Sequence, residues 1–352
     1  MGRVYISLPL AHASGKGGRE VLRGVELALE GAAPEPVPVT LVDSSGPDRE
    51  AQATKNARLA AADKGALAYL GDCHSSQVEE TAPILAEAGL AQVAPVATRS
   101  DLGGTTLVRL MPHDGVGAAA IASWLETVGV GDILIVHDHD PGYGIPVGEM
   151  CVHAARERGL AVRARPVWNH DEDFEGDLDT AEAVVYVGVA GSGAAQLWRD
   201  LHAANPRLWL LGSEGVAQDW LAHELEPSAA ARTRFFVAPR GPIALYGFEA
   251  MALILDAVAA NGDDRAGVLH TLRTTRDRAS IIGRYSIDET GHTTAAYGGW
   301  PSCTASSFGI STHSSLRGAR SEQAVLCPSS PCRPPRYRPS FSPSFAGPTR
   351  LS

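Results

Sequence analysis

The feature that most constrains this chain is an alternation that runs through its first 300 residues: short apolar runs of strand length, each followed by a segment of helical length and period. "RVYISLPL" precedes "GREVLRGVELALEGA", "VPVTLVD" precedes "REAQATKNARLAAADKG", and "ALAYLGD" precedes "SQVEETAPILAEAG". "AQVAPVAT" and "TLVRLMP" complete a first series. A second series opens after His113 with "DGVGAAAIASWLETVG", "DILIVHD", "PVGEMCVHAARERG", "AVRARPV", "AEAVVYVGV", "GAAQLWRDLHAAN", "RLWLLG", "VAQDWLAHEL" and "TRFFVAP". Two further helical stretches follow, then "RASIIGRYSIDETGHTTAAYGGW", which reads as strand, DETG turn and strand. In the first helix Val21, Val25, Leu27 and Leu29 are expected to share the apolar side. Strand–helix alternation of this kind builds largely parallel sheets with helical crossovers. Two such series predict two α/β lobes, with loops at the carboxyl ends of the strands facing a crevice between them.

Composition narrows the function. The net charge is −10, and after Trp300 six arginines stand against Glu322 alone, so residues 1–300 carry −15. That balance excludes a phosphate-backbone binder, which needs clustered Lys and Arg, and direct adhesion to anionic lipid. No run reaches the 18 or so apolar residues of a membrane span, and "MGRVYISLPL" shows no secretory signal. Taken literally, this predicts a cytoplasmic protein; the alternative is an export signal missing from the gene model. From Pro301 the chain is crowded with Ser, Pro and Arg, and residues 301–352 are expected to be disordered. The five cysteines have neither metal-ligand spacing nor an obvious pairing.

Candidate chemistry concentrates in "YLGDCHSSQVEETAPIL", residues 69–85. Ser76-Gln77-Val78-Glu79 reads as a capping box, which puts Ser75 and Ser76 at a helix N-terminus. Free N–H groups and the positive dipole end there suit an anion such as a carboxylate; the plainer alternative is that the serines only cap. Glu214 follows the apolar strand "LWLL" and precedes a helix, so it is expected to face the crevice and hold an ammonium. Ser75 and Glu214 together would clamp a zwitterion, one charge from each lobe. Cys73 and His74 invite a nucleophile–base reading, but neighbours at a strand end point apart and no orienting acid stands near, so no catalysis is expected. "HDHD", residues 137–140, and the acid-rich "NHDEDFEGD", residues 169–177, read as polar loops rather than metal ligands. Gly188, Gly191 and Gly193 follow a strand in an order that is not the dinucleotide fingerprint. No cofactor is expected.

Several stretches resemble, in order across residues 3–300, the type I periplasmic-binding-protein family, and within it the branched-chain amino-acid (Leu/Ile/Val) substrate-binding proteins of ABC transporters. They are "YISLPLAHASGKGGREVLRGVELALE", residues 41–98, "ILIVHDHDPGYG", "WLLGSEGVAQDWL", "LYGFEAMALILDAV" and "IIGRYSIDETGH". The resemblance implies two Rossmann-like lobes joined by three crossovers: residues 1–111 with 239–282, and 112–238 with 283–300. It implies that Ser75 holds a ligand carboxylate, Val96 offers its carbonyl, Thr98 its hydroxyl, Tyr143 lines the cleft and Glu214 neutralises the ammonium. A second-lobe tyrosine of the family falls on Ala190. The implied function is capture of a small amino acid for delivery to an ABC permease if the protein is exported. A cytoplasmic sensor of the same fold, for an amide or amino acid, is the alternative, and a Cys/His enzyme is a third.

Overall fold

The structure is a computed structural model that describes residues 2–11, 15–32, 37–165, 178–188, 193–217, 221, 224–238, 243–295 and 298–301. The segment expected to be a disordered tail, apart from Pro301, the loop 169–177 and Ala190 lie outside the described residues.

The first sheet is built from β1 (Arg3–Leu8), β2 (Val39–Asp43), β3 (Ala66–Leu70), β4 (Ala91–Ala94) and β5 (Leu107–Arg109) in the order β2-β1-β3-β4-β5. Every pairing is parallel. The crossovers are α1 (Lys16–Glu30), α2 (Arg49–Ala62) and α3 (Ser75–Glu87). β3 is buried along its whole length, whereas edge strand β2 alternates exposed and half-buried positions. That contrast is why "ALAYL" reads as an unbroken apolar run: an interior parallel strand is covered on both faces.

The second sheet repeats the winding. After α4 (Asp114–Thr127) come β6 (Asp132–His137), α5 (Gly144–Glu157), β7 (Ala161–Arg165), β8 (Ala183–Val187), α6 (Ala194–Ala204), β9 (Trp209–Gly212), α7 (Pro227–Ala231) and β10 (Thr233–Val237). The strand order is β13-β10-β9-β8-β6-β7, where β13 (Gly298–Pro301) is the antiparallel edge. β6 therefore plays the part of β1. In both sheets the chain first steps to one side and then to the other, and the carboxyl ends on either side of that reversal form the crevice.

α8 (Ile243–Asn261) and α9 (Arg265–Arg273) return to the first lobe. Within the described residues α8 is long and apolar enough to cross a membrane, a point the count of uninterrupted apolar residues misses because Glu249 and Asp256 interrupt it. Yet it packs along α1, with Tyr246, Ala250, Met251, Ile254 and Ala257 in the first lobe's core. The approach is close: a Cβ on Gly24 would stand 1.8 Å from the Ala244 carbonyl oxygen, and one on Gly247 would stand 2.1 Å from that of Val21. On α1, Val21 and Val25 are buried, but Leu27 is 50% exposed. Leu27 lies two residues from Val25, about 200° around the helix, so it cannot share that face.

The segment after α9 departs from the expected division of the chain. β11 (Arg278–Ser280) and β12 (Gly283–Tyr285) pair as a hairpin, and Ile282, Tyr285 and Ile287 belong to the first lobe's core. Glu249, almost fully buried on α8, anchors it by accepting from Arg278 Nε at 2.5 Å and from the Tyr285 hydroxyl at 2.8 Å. The DETG turn forms on Asp288, whose carboxylate accepts from the N–H groups of Thr290 and His292. His292 then bridges Arg109 of β5. Residues 283–295 thus stay with the first lobe rather than the second, and the chain enters the second sheet at β13. Among the described residues the chain passes from one lobe to the other after β5, after β10 and before β13.

Candidate functional site

α3 begins at Ser75, with His74 as its cap residue, so the two serines do open a helix. The capping box does not form. Ser76 Oγ instead donates to Glu50 Oε1 at 2.6 Å, and Glu79 pairs with Arg99 at 2.9 Å. The bond from Ser76, with help from Arg49, pulls the Glu50 carboxyl down to about 2. An anion already meets the first turn of α3 on that side. Ser75 lies on the other: its hydroxyl accepts from the Arg99 N–H at 3.2 Å, which turns it toward the loop after β4.

That loop contains Val96, half-buried against the first lobe's core, and Thr98. It is joined to the second lobe where the chain first crosses. The Thr98 carbonyl accepts from the Asp114 N–H at 2.8 Å, and Ser100 Oγ accepts from the Gly115 N–H at 3.1 Å. Three consecutive residues, Thr98, Arg99 and Ser100, therefore link the start of α3 to the start of α4.

Across the cleft the second lobe presents a cavity. Asp114, Tyr143, Ser213 and Glu214 give it polar walls, and Ala118, Ile121, Val147 and Phe236 give it an apolar floor. Tyr143 is the residue preceding α5, and its hydroxyl accepts from the Gly215 N–H at 3.1 Å. Glu214 opens a single 3-10 turn directly after β9. Gly215 is pressed into this corner: a Cβ there would stand 2.4 Å from the Gly188 carbonyl oxygen and 2.9 Å from the Tyr143 ring. A side chain at 215 would push Tyr143 out of the cavity wall.

The electrostatics of the cavity are acidic. Asp114 is 8% exposed, and its carboxyl is raised to about 7, first by burial and further by the Glu214 charge; the Thr98 side chain and Arg109 oppose the rise. Burial above all, and then Asp114 and Glu214, push the Tyr143 hydroxyl upward against the bonds from Ser213 and Gly215. Tyr246 of the first lobe is raised by burial and by Glu214, so Glu214 acts on both lobes. Chemically, the arrangement offers hydroxyl and N–H donors at the α3 end and two carboxylates at the other. Asp114 is the site residue that sequence reasoning missed. It is the first residue of α4, after His113, a common place for an acid; only the fold places it beside Glu214.

The competing motifs take structural places. Cys73 sits in the first lobe's core, and burial with the nearby Asp72 drives its thiol far upward, the reverse of what a nucleophile needs. His74 is lowered by burial and by Arg49. His137 is buried with Nδ1 against the Asp138 carbonyl, while His139 is exposed, so they do not share a face.

A two-lobed α/β protein with a polar cleft at the switch points of two similarly wound sheets is a defined class. No protein-family model matches this chain, and no curated protein matches it in sequence. Solved structures do. The leucine binding protein LivK of Thermotoga maritima is 21% identical with a TM-score of 0.67, over 84% of this chain and 94% of that one. An ABC transporter substrate-binding protein of Desulfitobacterium hafniense, solved with Leu, is 18% identical with a TM-score of 0.69, over 84% and 96%. A solute-binding protein of R. palustris, solved with benzoate, is 16% identical with a TM-score of 0.66, over 84% and 92%. The fold is that of the type I periplasmic binding proteins.

Proposed function

We propose that this chain is a solute-binding protein that captures a small amino acid between its lobes for an ABC transporter. The observation that carries the reading is the convergence, through Thr98, Arg99 and Ser100, of a helix N-terminus on one side and the Asp114–Glu214 acids on the other. An α-amino acid matches this polarity. Its carboxylate meets the Ser75 hydroxyl and the start of α3, and its ammonium meets Glu214, Asp114 and the Val96–Thr98 loop. An aromatic acid such as benzoate lacks the cation that two acids in one cavity, buried Asp114 and half-buried Glu214, would attract, which favours the leucine-binding neighbours as the guide to ligand class. Binding both charges rewards lobe closure, because each lobe supplies one of them. The apolar floor of Ala118, Ile121, Val147 and Phe236 suits an aliphatic side chain.

The test is calorimetric titration with the twenty amino acids and benzoate. At least one aliphatic amino acid is expected to bind, and Glu214→Gln to weaken it by about 1.5–3 kcal/mol, the range for a hydrogen bond to a charged group. Benzoate binding with no amino acid bound, or unchanged affinity in Glu214→Gln, refutes the reading.

A further inference from the structure

Three residues before Ser75 lies a charge that the ligand site does not use. Asp72 is fully buried, and among the described residues the partners of its carboxylate are all hydroxyls. Ser7 Oγ on β1 donates to Oδ1 at 2.8 Å, the Tyr69 hydroxyl on β3 stands 3.2 Å from Oδ2, and Thr81 Oγ1 on α3 stands 3.1 Å from Oδ2. The surrounding groups are neutral amides: Asn56 of α2 donates to Ser7, and Gln92 of β4 donates to Thr81. Tyr69 and Cys73 are both pushed far up and stay neutral. His74, at the cap of α3, is held toward its neutral form, and Glu50 remains an anion down to about pH 2. No cation balances Asp72 among these partners.

Such a group is costly to the fold, since burial opposes the charge. Its position gives it a consequence for the ligand. The Asp72 carboxyl is fixed against Thr81, in the second turn of α3, so it lies roughly 8 Å behind the first turn of that helix. We propose that Asp72 sets the affinity of the anion half of the cleft: as a carboxylate it opposes a ligand carboxylate at Ser75, and capture of that anion draws a proton onto Asp72. Two unit charges about 8 Å apart in a partly polar interior interact enough to change an equilibrium constant roughly tenfold. The carboxyl is poised to respond, because burial raises it to about 6 against the opposing hydroxyl bonds from Ser7, Thr81 and Tyr69. The tightly bound anion Glu50 does not titrate near neutrality, so of these two acids Asp72 is the one that does.

The inference rests on the amino-acid reading of the cleft, and its test separates the two. L-leucine is titrated calorimetrically into the wild type and Asp72→Asn from pH 5 to pH 8.5, in pairs of buffers differing in ionisation enthalpy. The variant is expected to bind about tenfold more tightly than the wild type at pH 8, with the ratio falling toward one at pH 5. Asp114 and His74 titrate in both proteins and cancel in that ratio. The wild type should also take up more protons on binding than the variant. A ratio that is flat with pH, or below one, overturns the role of Asp72 while leaving the amino-acid reading intact. Where L-leucine does not bind, L-isoleucine, L-valine and L-alanine are titrated in the same way, and absence of binding by all four in both proteins overturns the two together. Should Asp72→Asn not fold, Ser7→Ala serves: loss of that donor raises the Asp72 carboxyl, so the rise in affinity on acidification must begin at higher pH than in the wild type. An unmoved onset refutes the proposal.

Discussion

Replacing Asp114 by Asn separates what this acid does for the fold from what it does for the ligand. Burial and Glu214 hold the Asp114 carboxyl at about 7 instead of its ordinary 3.8. The folded protein therefore keeps this proton more tightly than the unfolded chain does. The stability so gained is complete below about pH 4 and is lost as the pH rises through about 7. Above that pH the ligand-free protein carries two carboxylates facing one small cavity. The interval from 3.8 to about 7, at 1.36 kcal/mol per pH unit, caps the strain at roughly 4 kcal/mol, and water reaching the open cleft reduces it to about half. Asp114→Asn is isosteric and leaves the Asp114 N–H bond to Thr98, a backbone contact, in place. Ligand-free Asp114→Asn should come closest to the wild type at about pH 4 and melt higher at pH 8. For about 2 kcal/mol in a domain of this size, the difference is roughly 4–8 °C. Amino-acid affinity should move the other way, weakening by about 1.5–3 kcal/mol at pH 8. Differential scanning calorimetry at the two pH values, with isothermal titration alongside, reads both. A variant less stable than the wild type at pH 8, or one that is stabilised and binds as before, refutes the reasoning.

The two serines of α3 should behave differently. Ser75→Ala is expected to weaken amino-acid binding by about 1 kcal/mol or more, whereas Ser76→Ala, whose hydroxyl is committed to Glu50, should change affinity less than twofold in the same titration. The β11–β12 hairpin supplies a stability test. Arg278→Met leaves Glu249, 3% exposed at its side chain, as a buried charge without its cation, and should cost about 3–5 kcal/mol in urea denaturation. Asp256→Ala removes Arg278's exposed partner and should cost under about 1 kcal/mol.

The parallel α/β architecture was legible because its signal is local and repeated. β3 and β8 are buried at every position, so their apolar runs are continuous, and each is followed by a helix. The crevice-facing loops were legible for a related reason: in such sheets the carboxyl ends of the strands define the crevice whatever the sequence of the helices. Asp114 was not legible, because its significance depends on a residue a hundred positions away in the wall of the same cavity. The lobe boundary near residue 283 failed for a similar cause. The segment carries the strand pattern expected of either sheet, and the deciding contact, Arg278 and Tyr285 on Glu249, joins it to a helix that begins thirty-five residues earlier.

The capping box shows most plainly why a short pattern can be right about an element and wrong about its chemistry. Ser-x-x-Glu at residues 76–79 did mark a helix start, within one residue of where α3 begins. A capping box, however, assumes that the serine and the glutamate have no better partners than each other's backbone. Here both do. Glu50, twenty-six residues upstream at the first turn of α2, takes the Ser76 hydroxyl, and Arg99, twenty residues downstream, takes Glu79. The first exchange replaces a neutral bond with a charge-assisted one, and the second gives the Glu79 carboxylate a cation in place of a backbone N–H. The consequence reaches the candidate site. With Glu79 turned toward Arg99 and Ser76 toward Glu50, the Arg99 backbone N–H is left to meet Ser75, and the same loop carries Thr98 to Asp114. The bonds that defeat the local cap are thus the ones that orient Ser75 toward the cleft.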